Sequence, residues 1–104
     1  MNSKILTLLG FAAKANKLSY GLNIAKESIK SKKAKLVIVS FEVSEKSQKE
    51  INYFCKHYET EILVLNNCTM ETLSRAVGKK CGILSVNDLG FAEAITKEEM
   101  LNDK

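Results

Sequence analysis

The sequence predicts an α/β fold in which one sheet is sandwiched between helices. Three runs of mostly branched apolar residues lack the alternation of a half-exposed strand, which indicates strands buried on both faces: Leu36–Ser40, Glu61–Leu65 and residues 81–86. Segments with apolar residues at helical spacing separate these runs. Helices that alternate with buried strands are typical of layered α/β folds, so we expect three long strands and one short one.

The N-terminal third contributes two helices and the short strand. A first helix begins near Ser3, where apolar residues recur at helical spacing. The extended piece Leu18–Tyr20 follows, and Gly21 then permits a turn or a close backbone approach. A second helix is expected over residues 22–31. Its inner stripe consists of Leu22, Ala25 and Ile29, with Ile24 beside them.

The remaining helices follow the long strands. Ser44 begins a third helix. Its core-facing residues are Ile51, Phe54, Cys55 and Tyr58. Thr69 caps a short fourth helix that ends at Gly78, where a C-terminal glycine is typical. Asn87 is expected to cap the last helix.

Length and composition indicate one domain. The chain has 104 residues, of which 45% are hydrophobic and 27% are charged, an ordinary globular balance that supplies one core. It contains no proline, no low-complexity run and no internal repeat, so nothing suggests a linker between domains. We expect a single domain over residues 1–96, followed by a charged tail over residues 97–104.

Positive charge is concentrated near the N-terminus. Residues 1–35 contain eight lysines and one acid, whereas residues 36–104 contain eight basic and eleven acidic residues, so the two parts carry net charges of +7 and −3. A one-sided basic surface is expected for a protein that binds a polyanion. A lysine-rich helix face in solvent would give the same pattern. Half of the early lysines form one cluster: Lys30, Lys32, Lys33 and Lys35.

The cysteines and the first residues bear on the compartment. Cys55, Cys68 and Cys81 are odd in number and have no C-x-x-C spacing, so they predict small core residues in a reducing cytoplasm rather than disulfides or a zinc site. The N-terminal apolar stretch is too short and too amphipathic for a signal peptide or a membrane span. We therefore expect a cytoplasmic protein with no membrane, metal or cofactor partner.

No catalytic constellation is apparent. On a helix, Cys55 and His57 point in different directions, which makes them a poor nucleophile and base pair. The chain contains neither G-x-x-x-x-G-K-S/T nor G-x-G-x-x-G, and Gly78 has no earlier glycine at phosphate-loop spacing. We therefore expect no enzymatic activity and no catalytic residues.

Two segments suit nucleic acid. After Gly21, backbone N–H groups at a helix start attract phosphate, and Asn23 offers a donor and an acceptor to a base edge or a sugar hydroxyl. The alternative is an ordinary asparagine that bonds only its local backbone. The loop of Gly78, Lys79 and Lys80 would contact phosphate without reading the sequence, unless it is simply a solvated turn.

Several short segments then stand in a characteristic order. They are Leu-Leu-Gly-Phe-Ala-Ala-Lys-Ala-Asn-Lys-Leu at residues 8–18, Gly21-x-Asn23, Lys-Ala-Lys-Leu-Val-Ile-Val at residues 33–39, Leu73-Ser-x-Ala-x-Gly78 and Asp88-x-Gly90-Phe91-Ala92. In this order the chain resembles the kink-turn RNA-binding ribosomal protein family, and within it the small bacterial ribosomal-like proteins of the YlxQ and YbxF type. The resemblance covers roughly residues 3–95.

The resemblance implies a three-layer α-β-α sandwich with a four-stranded mixed sheet, in a protein that binds the sharply bent kink-turn of RNA. Family members use a Gly-x-Asn-Glu segment at the start of the second helix, a nearby lysine of that helix and a loop before the last strand. By position, Gly21 and Asn23 match this segment. Ile24 replaces the glutamate and Glu27 replaces the lysine, with Lys26 one position earlier. The loop corresponds to Gly78, Lys79 and Lys80.

We therefore expect a non-enzymatic, ribosome-associated protein that binds structured RNA, either kink-turn-like or ribosomal, and that is a monomer when free. Direct contacts are expected at Gly21, Asn23, Lys26, Lys79 and Lys80. The lysine cluster at residues 30–35 would add longer-range attraction. The alternative is a protein-interaction module that kept the fold and lost RNA specificity, which an apolar surface around Ile24 would favour.

Overall fold

The computed structural model describes residues 3–102, in which five helices and four strands alternate. In chain order they are α1 (Ser3–Lys14), β1 (Leu18–Tyr20), α2 (Leu22–Lys30), β2 (Leu36–Ser40), α3 (Glu45–His57), β3 (Glu61–Leu65), α4 (Met70–Val77), β4 (Ile83–Val86) and α5 (Leu89–Asn102). Among these helices, none combines the length and the apolar character that a bilayer span requires.

The four strands form one mixed sheet in the order β1-β4-β2-β3. β4 is antiparallel to both of its neighbours, β1 and β2, whereas β2 and β3 are parallel. One hydrophobic core joins α1, α4 and α5 to one face of the sheet, and a second core joins α2 and α3 to the other face. The expected three-layer α-β-α sandwich with a four-stranded mixed sheet is confirmed.

The central strand β2 shows why its sequence has no polar alternation. Leu36 and Ile38 belong to the core beneath α1, α4 and α5, whereas Val37 and Val39 belong to the core beneath α2 and α3. Every residue of β2 is buried. A strand that is covered on both faces needs apolar side chains at consecutive positions, which the run at residues 36–39 supplies.

A partly buried polar network links α2 to the sheet. Ser28 of α2 donates to Ser19 Oγ of β1 at 3.1 Å, and Asn87 Nδ2 donates to the same oxygen at 2.8 Å. Ser85 Oγ of β4 donates to Asn87 Oδ1 at 2.9 Å. Because each polar side chain here has a partner, the network adds a directional constraint to apolar packing. It sets the position of α2 relative to β1 and β4.

Three predicted helix boundaries are confirmed by their capping contacts. Ser44 Oγ accepts a hydrogen bond from Ser47 N at 3.2 Å, and Thr69 Oγ1 accepts one from Thr72 N at 3.1 Å. Gly78 ends α4 in the left-handed conformation with φ 77°. These local signals succeed because a cap and its helix are close in sequence.

Other predictions of local structure differ from the structure. Ile24 is 56% exposed, since it lies off the helical stripe through Ala25 and Ile29. Asn87 does not cap α5: it joins the network with Ser19, and Asp88 Oδ2 accepts from Phe91 N at 2.9 Å instead.

The ends of β4 and α5 also differ from expectation. β4 begins at Ile83 rather than at Cys81, whose N–H donates to Ser74 Oγ of α4 at 3.0 Å. α5 continues through residues 97–102, most of the segment expected as a charged tail. Residues 103 and 104 of that segment lie outside the described part of the chain.

Candidate nucleic-acid interface

One edge of the sheet collects the segments that the sequence singled out. β2 and β3 are parallel and end at this edge, and β1 ends there as well, because Tyr20 pairs with Leu84 near the start of β4. The connections from β1 to α2, from β2 to α3, from β3 to α4 and from α4 to β4 therefore lie at the same edge. The topology thus brings Gly21 and the loop after Gly78 to one side of the molecule.

Gly21 makes the abrupt turn from β1 into α2. Its φ of 94° and ψ of 158° lie in a region that residues with a Cβ seldom enter. Its N–H donates to Ile83 O at 2.8 Å, and its carbonyl accepts from Ala25 N at 2.9 Å. The start of α2 is therefore tied to β4 by one backbone hydrogen bond, from Gly21 N to Ile83 O.

The start of α2 differs from the starts of the helices that follow it. α3, α4 and α5 begin with the capping side chains of Ser44, Thr69 and Asp88. Gly21 has no side chain to cap α2, and the structure records no side-chain cap there. The first-turn N–H groups of α2 are consequently open to an external acceptor, and the helix dipole favours an anion.

Asn23 lies in this first turn with an exposed side chain. Within residues 3–102, its amide makes no hydrogen bond, so it is not the locally bonded asparagine that the sequence left as an alternative. Its neighbour Ile24 is also exposed, as is Glu27 one turn later. The surface therefore presents one free amide, one apolar side chain and one acid.

The loop between α4 and β4 supplies cations beside this helix start. Lys79 Nζ lies 5.2 Å from the centroid of the Tyr20 ring, and Tyr20 directly precedes Gly21. Burial, followed by the nearby Cys81, raises the pKa of Tyr20, so its phenol remains uncharged. Lys80 is exposed on the same loop. The two predicted segments are therefore joined through a contact between Lys79 and Tyr20.

Lys26 lies on a different side of α2. Its ammonium donates to the Glu50 carboxylate of α3 and lies 4.9 Å from the centroid of the Phe54 ring. The structure therefore places Gly21, Asn23, Lys79 and Lys80 at one edge of the sheet, and it directs Lys26 toward α3. The sequence contained no local sign of this ion pair, because its partners are 24 residues apart.

A cleft of about 260 Å³ adjoins the start of α2 and reaches the starts of α3 and α4. Glu42 lines it and is held in place, since its Oε1 accepts from Met70 N at 2.8 Å. Gly82 is also in the wall, where an added Cβ would come within 2.8 Å of Val43 Cγ2. The acid makes this cleft a poor phosphate site, so anions are better accommodated on the Lys79 side.

Comparison with known proteins places this geometry in a family. The model of the ribosomal protein L7Ae/L30e/S12e/Gadd45 family matches residues 3–96. The chain belongs to the ribosomal protein L7Ae/L30e/S12e/Gadd45 family. The family resemblance that the sequence suggested is thereby confirmed.

Two relatives of this family member share most of its length. The RNA-binding protein YlxQ of Enterococcus faecium is 30% identical over 95 residues, which cover 91% of this chain and 89% of the relative. The RNA-binding protein YlxQ of Bacillus subtilis (strain 168) is 28% identical over 89 residues, which cover 85% and 87% of the two chains.

Solved structures show the same fold. A protein with unknown function from Bacillus halodurans C superimposes with a TM-score of 0.85 at 29% identity, covering 90% of this chain and 94% of that one. The Giardia lamblia 15.5kD RNA binding protein superimposes with a TM-score of 0.77 at 21% identity, covering 96% and 88%. The second likeness supports the L7Ae/L30e/S12e/Gadd45 architecture alone.

The cysteines of this L7Ae/L30e/S12e/Gadd45 member are free and buried, as expected. Burial raises the pKa of Cys55 to about 11, and burial, followed by the nearby Cys68, raises that of Cys81 to about 11. Their thiols are therefore protonated at neutral pH and weakly nucleophilic. His57 is exposed, whereas Cys55 is buried, which agrees with the predicted divergence of the two side chains.

Sequence reasoning missed three residues of this region. Tyr20 and Glu42 belong to the surface around the α2 start, and Glu50 binds the expected RNA-contacting Lys26. An aromatic residue directly before Gly21 was a usable signal for Tyr20. The position of Glu42 depends on how β2 and β3 are paired, which helical spacing alone does not reveal.

Proposed function

We propose that this protein is a non-enzymatic binder of structured RNA. The surface in question is the α2–β4 edge, which we define as Gly21, Asn23, Lys79 and Lys80. The observation that best supports this proposal is the uncapped start of α2 with the free amide of Asn23. Tyr20, which precedes this helix start, contacts Lys79. Membership in the family and relatives that are named RNA-binding proteins support the same function.

Phosphate contacts supply most of the affinity in this proposal. The exposed ammonium groups of Lys79 and Lys80 and the open N–H groups of α2 lie at the same edge of the sheet. Such groups bind the RNA backbone whatever its sequence. The lysines at residues 30–35 extend positive potential beyond the contact surface and accelerate encounter.

Selectivity in this proposal comes from the bend of the RNA and from Asn23. An amide can donate to and accept from a base edge or a 2′-hydroxyl. Ile24 offers no such atoms, so base readout is limited. Glu27 repels phosphate and therefore weakens contacts to the RNA backbone nearby. We propose that the RNA is kink-turn-like or ribosomal. The protein in this proposal is cytoplasmic, ribosome-associated and a monomer when free.

Lys26 is an expected RNA contact whose ammonium already forms an ion pair, with Glu50 of α3. To reach phosphate, its ammonium must leave the Glu50 carboxylate and the face of Phe54. In our proposal RNA binding includes this exchange, in which one anionic partner replaces another. The cost of the exchange makes Lys26 a weaker contributor than Lys79 or Lys80.

A salt titration with a kink-turn RNA and a plain hairpin of equal length tests the proposal. We expect both affinities to fall steeply as salt rises, because phosphate contacts dominate. The double variant Lys79→Ala, Lys80→Ala should reduce the salt slope by about one per lysine removed. Absence of binding to either RNA at low salt would contradict the proposed function.

A protein-interaction module is the second candidate, and the 56% exposure of Ile24 favours it. Exposed apolar side chains mark a protein interface when they form a contiguous patch, to which Ile24 would belong here. The Ile24→Ser variant separates the two functions. Under the RNA proposal it should leave RNA affinity nearly unchanged, whereas loss of a protein complex with unchanged RNA affinity would support the second candidate.

A further inference from the structure

A belt of aromatic rings covers the C-terminal half of α3, away from the α2–β4 edge. Tyr53 and His57 stack with centroids 6.0 Å apart and an interplanar angle of 16°, and Phe54 and Tyr58 stack at 6.0 Å and 28°. His57 meets Tyr58 edge-on at 4.8 Å. We call these four residues the aromatic platform.

The outer pair of rings faces solvent. Tyr53 is 66% exposed, and His57 is exposed as well, whereas Phe54 and Tyr58 are half-buried and pack against the core beneath α2 and α3. The inner rings thus support the outer pair. Each ring of this exposed pair offers an outer face on which a planar ligand can stack.

Lysines of α2 and of the following turn lie beside the inner rings of the platform. Lys26 Nζ lies 4.9 Å from the Phe54 centroid, and Lys32 Nζ lies 5.8 Å from the Tyr58 centroid and donates to Tyr58 O at 3.4 Å. Lys33 is exposed next to Lys32, and Lys56 is exposed on α3 itself.

Two acids also lie near these rings. Glu50 is bonded to Lys26, and Glu59 follows Tyr58. The cations outnumber these acids, so the surroundings of the platform favour an anionic ligand.

We propose that the aromatic platform is a second site that binds unpaired nucleotides of a single-stranded RNA segment. Bases stack on the exposed rings of Tyr53 and His57, and the phosphates between them lie toward the lysines. Stacking platforms flanked by cations bind single strands with little sequence preference. The positive charge near the platform favours RNA over a protein as the ligand, because a polyanion is attracted to the ammonium groups.

This site goes beyond the proposed function. The α2–β4 edge uses the start of α2, whereas the platform uses α3 and the lysines of α2 and of the following turn. An RNA with a folded part and an unpaired extension can therefore occupy both surfaces. Binding of an unstructured strand does not require the edge.

Titration with a ten-nucleotide oligouridine, which has no stable folded structure, tests the platform. The chain has three tyrosines and no tryptophan, so quenching of tyrosine fluorescence reports base stacking, and its loss in Tyr53→Ala separates the platform from Tyr20. Tyr53→Ala should lower the affinity about tenfold and remove most of the quenching, because it deletes one stacking surface. Tyr53→Phe should retain the affinity, since it keeps the ring. Phe11→Ala alters an aromatic residue of α1 that is 56% exposed and should change nothing.

Four results would overturn the inference. Three are failure of oligouridine to bind at low salt, equal binding by wild type and Tyr53→Ala, and a Tyr53→Ala variant that loses only a protein partner. The fourth concerns Asn23→Ala. Asn23→Ala distinguishes the two sites and should leave oligouridine binding unchanged. If Asn23→Ala weakens it as much as Tyr53→Ala does, the strand binds at the α2–β4 edge. The proposal that the platform binds RNA is then wrong, whereas the proposed function of the α2–β4 edge is unaffected.

Discussion

At the residue scale, Asn23 is the side chain of the α2–β4 edge that is best suited to recognise a base. Its amide is exposed and makes no hydrogen bond within residues 3–102, so none has to be broken when RNA binds. Ile24 beside it has no polar side-chain atom, and Lys79 and Lys80 recognise charge alone. Substitution of Asn23 should therefore lower the affinity for RNA and leave the unfolding free energy nearly unchanged.

The Asn23→Ala variant tests this role. We expect RNA affinity to fall by about 1–3 kcal/mol, the usual value of a contact to a base edge, with an unchanged salt slope. The measurement is a binding isotherm with an RNA that has no unpaired extension. Asn52→Ala, which alters an exposed asparagine of α3, is the matched control and should bind as wild type does. Equal affinities for the two variants would remove Asn23 from the interface.

A second residue-scale prediction concerns the partner of Lys26. In Glu50→Gln the ammonium loses its charged partner and becomes available to phosphate, so RNA affinity should rise roughly threefold at low salt. Unfolding free energy should fall by no more than about 1 kcal/mol, because the pair is partly exposed. The control is Glu45→Gln, whose pair with Lys49 lies in solvent at 3.7 Å. Equal gains in the two variants would mean that only net charge matters.

Individual side chains were the hardest feature to predict from the sequence. The start of α2 after Gly21 was identifiable because a helix start is a local feature. The role of Lys26 depended on Glu50, and the position of Ile24 depended on the rotation of α2 over the sheet. The partly buried network of Ser28, Ser19 and Asn87 contributes to that rotation, and it joins residues up to 68 positions apart.

At the element scale, the loop before β4 depends on the end of α4. Gly78 holds φ at 77°, and a Cβ there would meet nothing within 4 Å, so any cost of substitution comes from backbone conformation alone. The N–H of Gly78 donates to Ser74 O at 2.8 Å and that of Lys79 to the same oxygen at 3.2 Å. The turn therefore sets where Lys79 and Lys80 emerge.

Gly78→Ala should lower the unfolding free energy by about 1–2 kcal/mol, because alanine is strained in the left-handed region. Chemical denaturation monitored by circular dichroism measures this loss. Gly78→Asn is the matched control, since asparagine tolerates this conformation better and should lose less. A Gly78→Ala variant as stable as wild type would show that the turn is not under this constraint.

Element boundaries were largely predictable, and the exceptions have a tertiary cause. Ser44, Thr69 and Gly78 act on backbone groups within five residues of themselves. Asn87 and Asp88 are both suitable caps for α5, and local sequence does not choose between them. The choice follows from the bond between Asn87 and Ser19, which exists only after β1 has paired with β4.

At the scale of the whole molecule, the sheet topology explains why the two candidate segments lie at one edge of the sheet. Gly21 and Lys79 are far apart in sequence, but β1 pairs with β4, and Gly21 N bonds Ile83 O at 2.8 Å. The alternation of helices and strands predicted the layers, whereas it did not predict the strand order β1-β4-β2-β3. The sequence therefore identified the two segments, whereas their proximity follows only from the fold.

Amide chemical-shift mapping during titration with a short structured RNA tests the central claim most directly. The measurement needs no mutation and reports every non-proline backbone position of the chain. We predict that the largest shifts occur at residues 21–24 and 78–80, with smaller shifts along the lysines at residues 30–35. An RNA that binds without changing the amides of residues 21–24 and 78–80 would contradict the assignment of the α2–β4 edge.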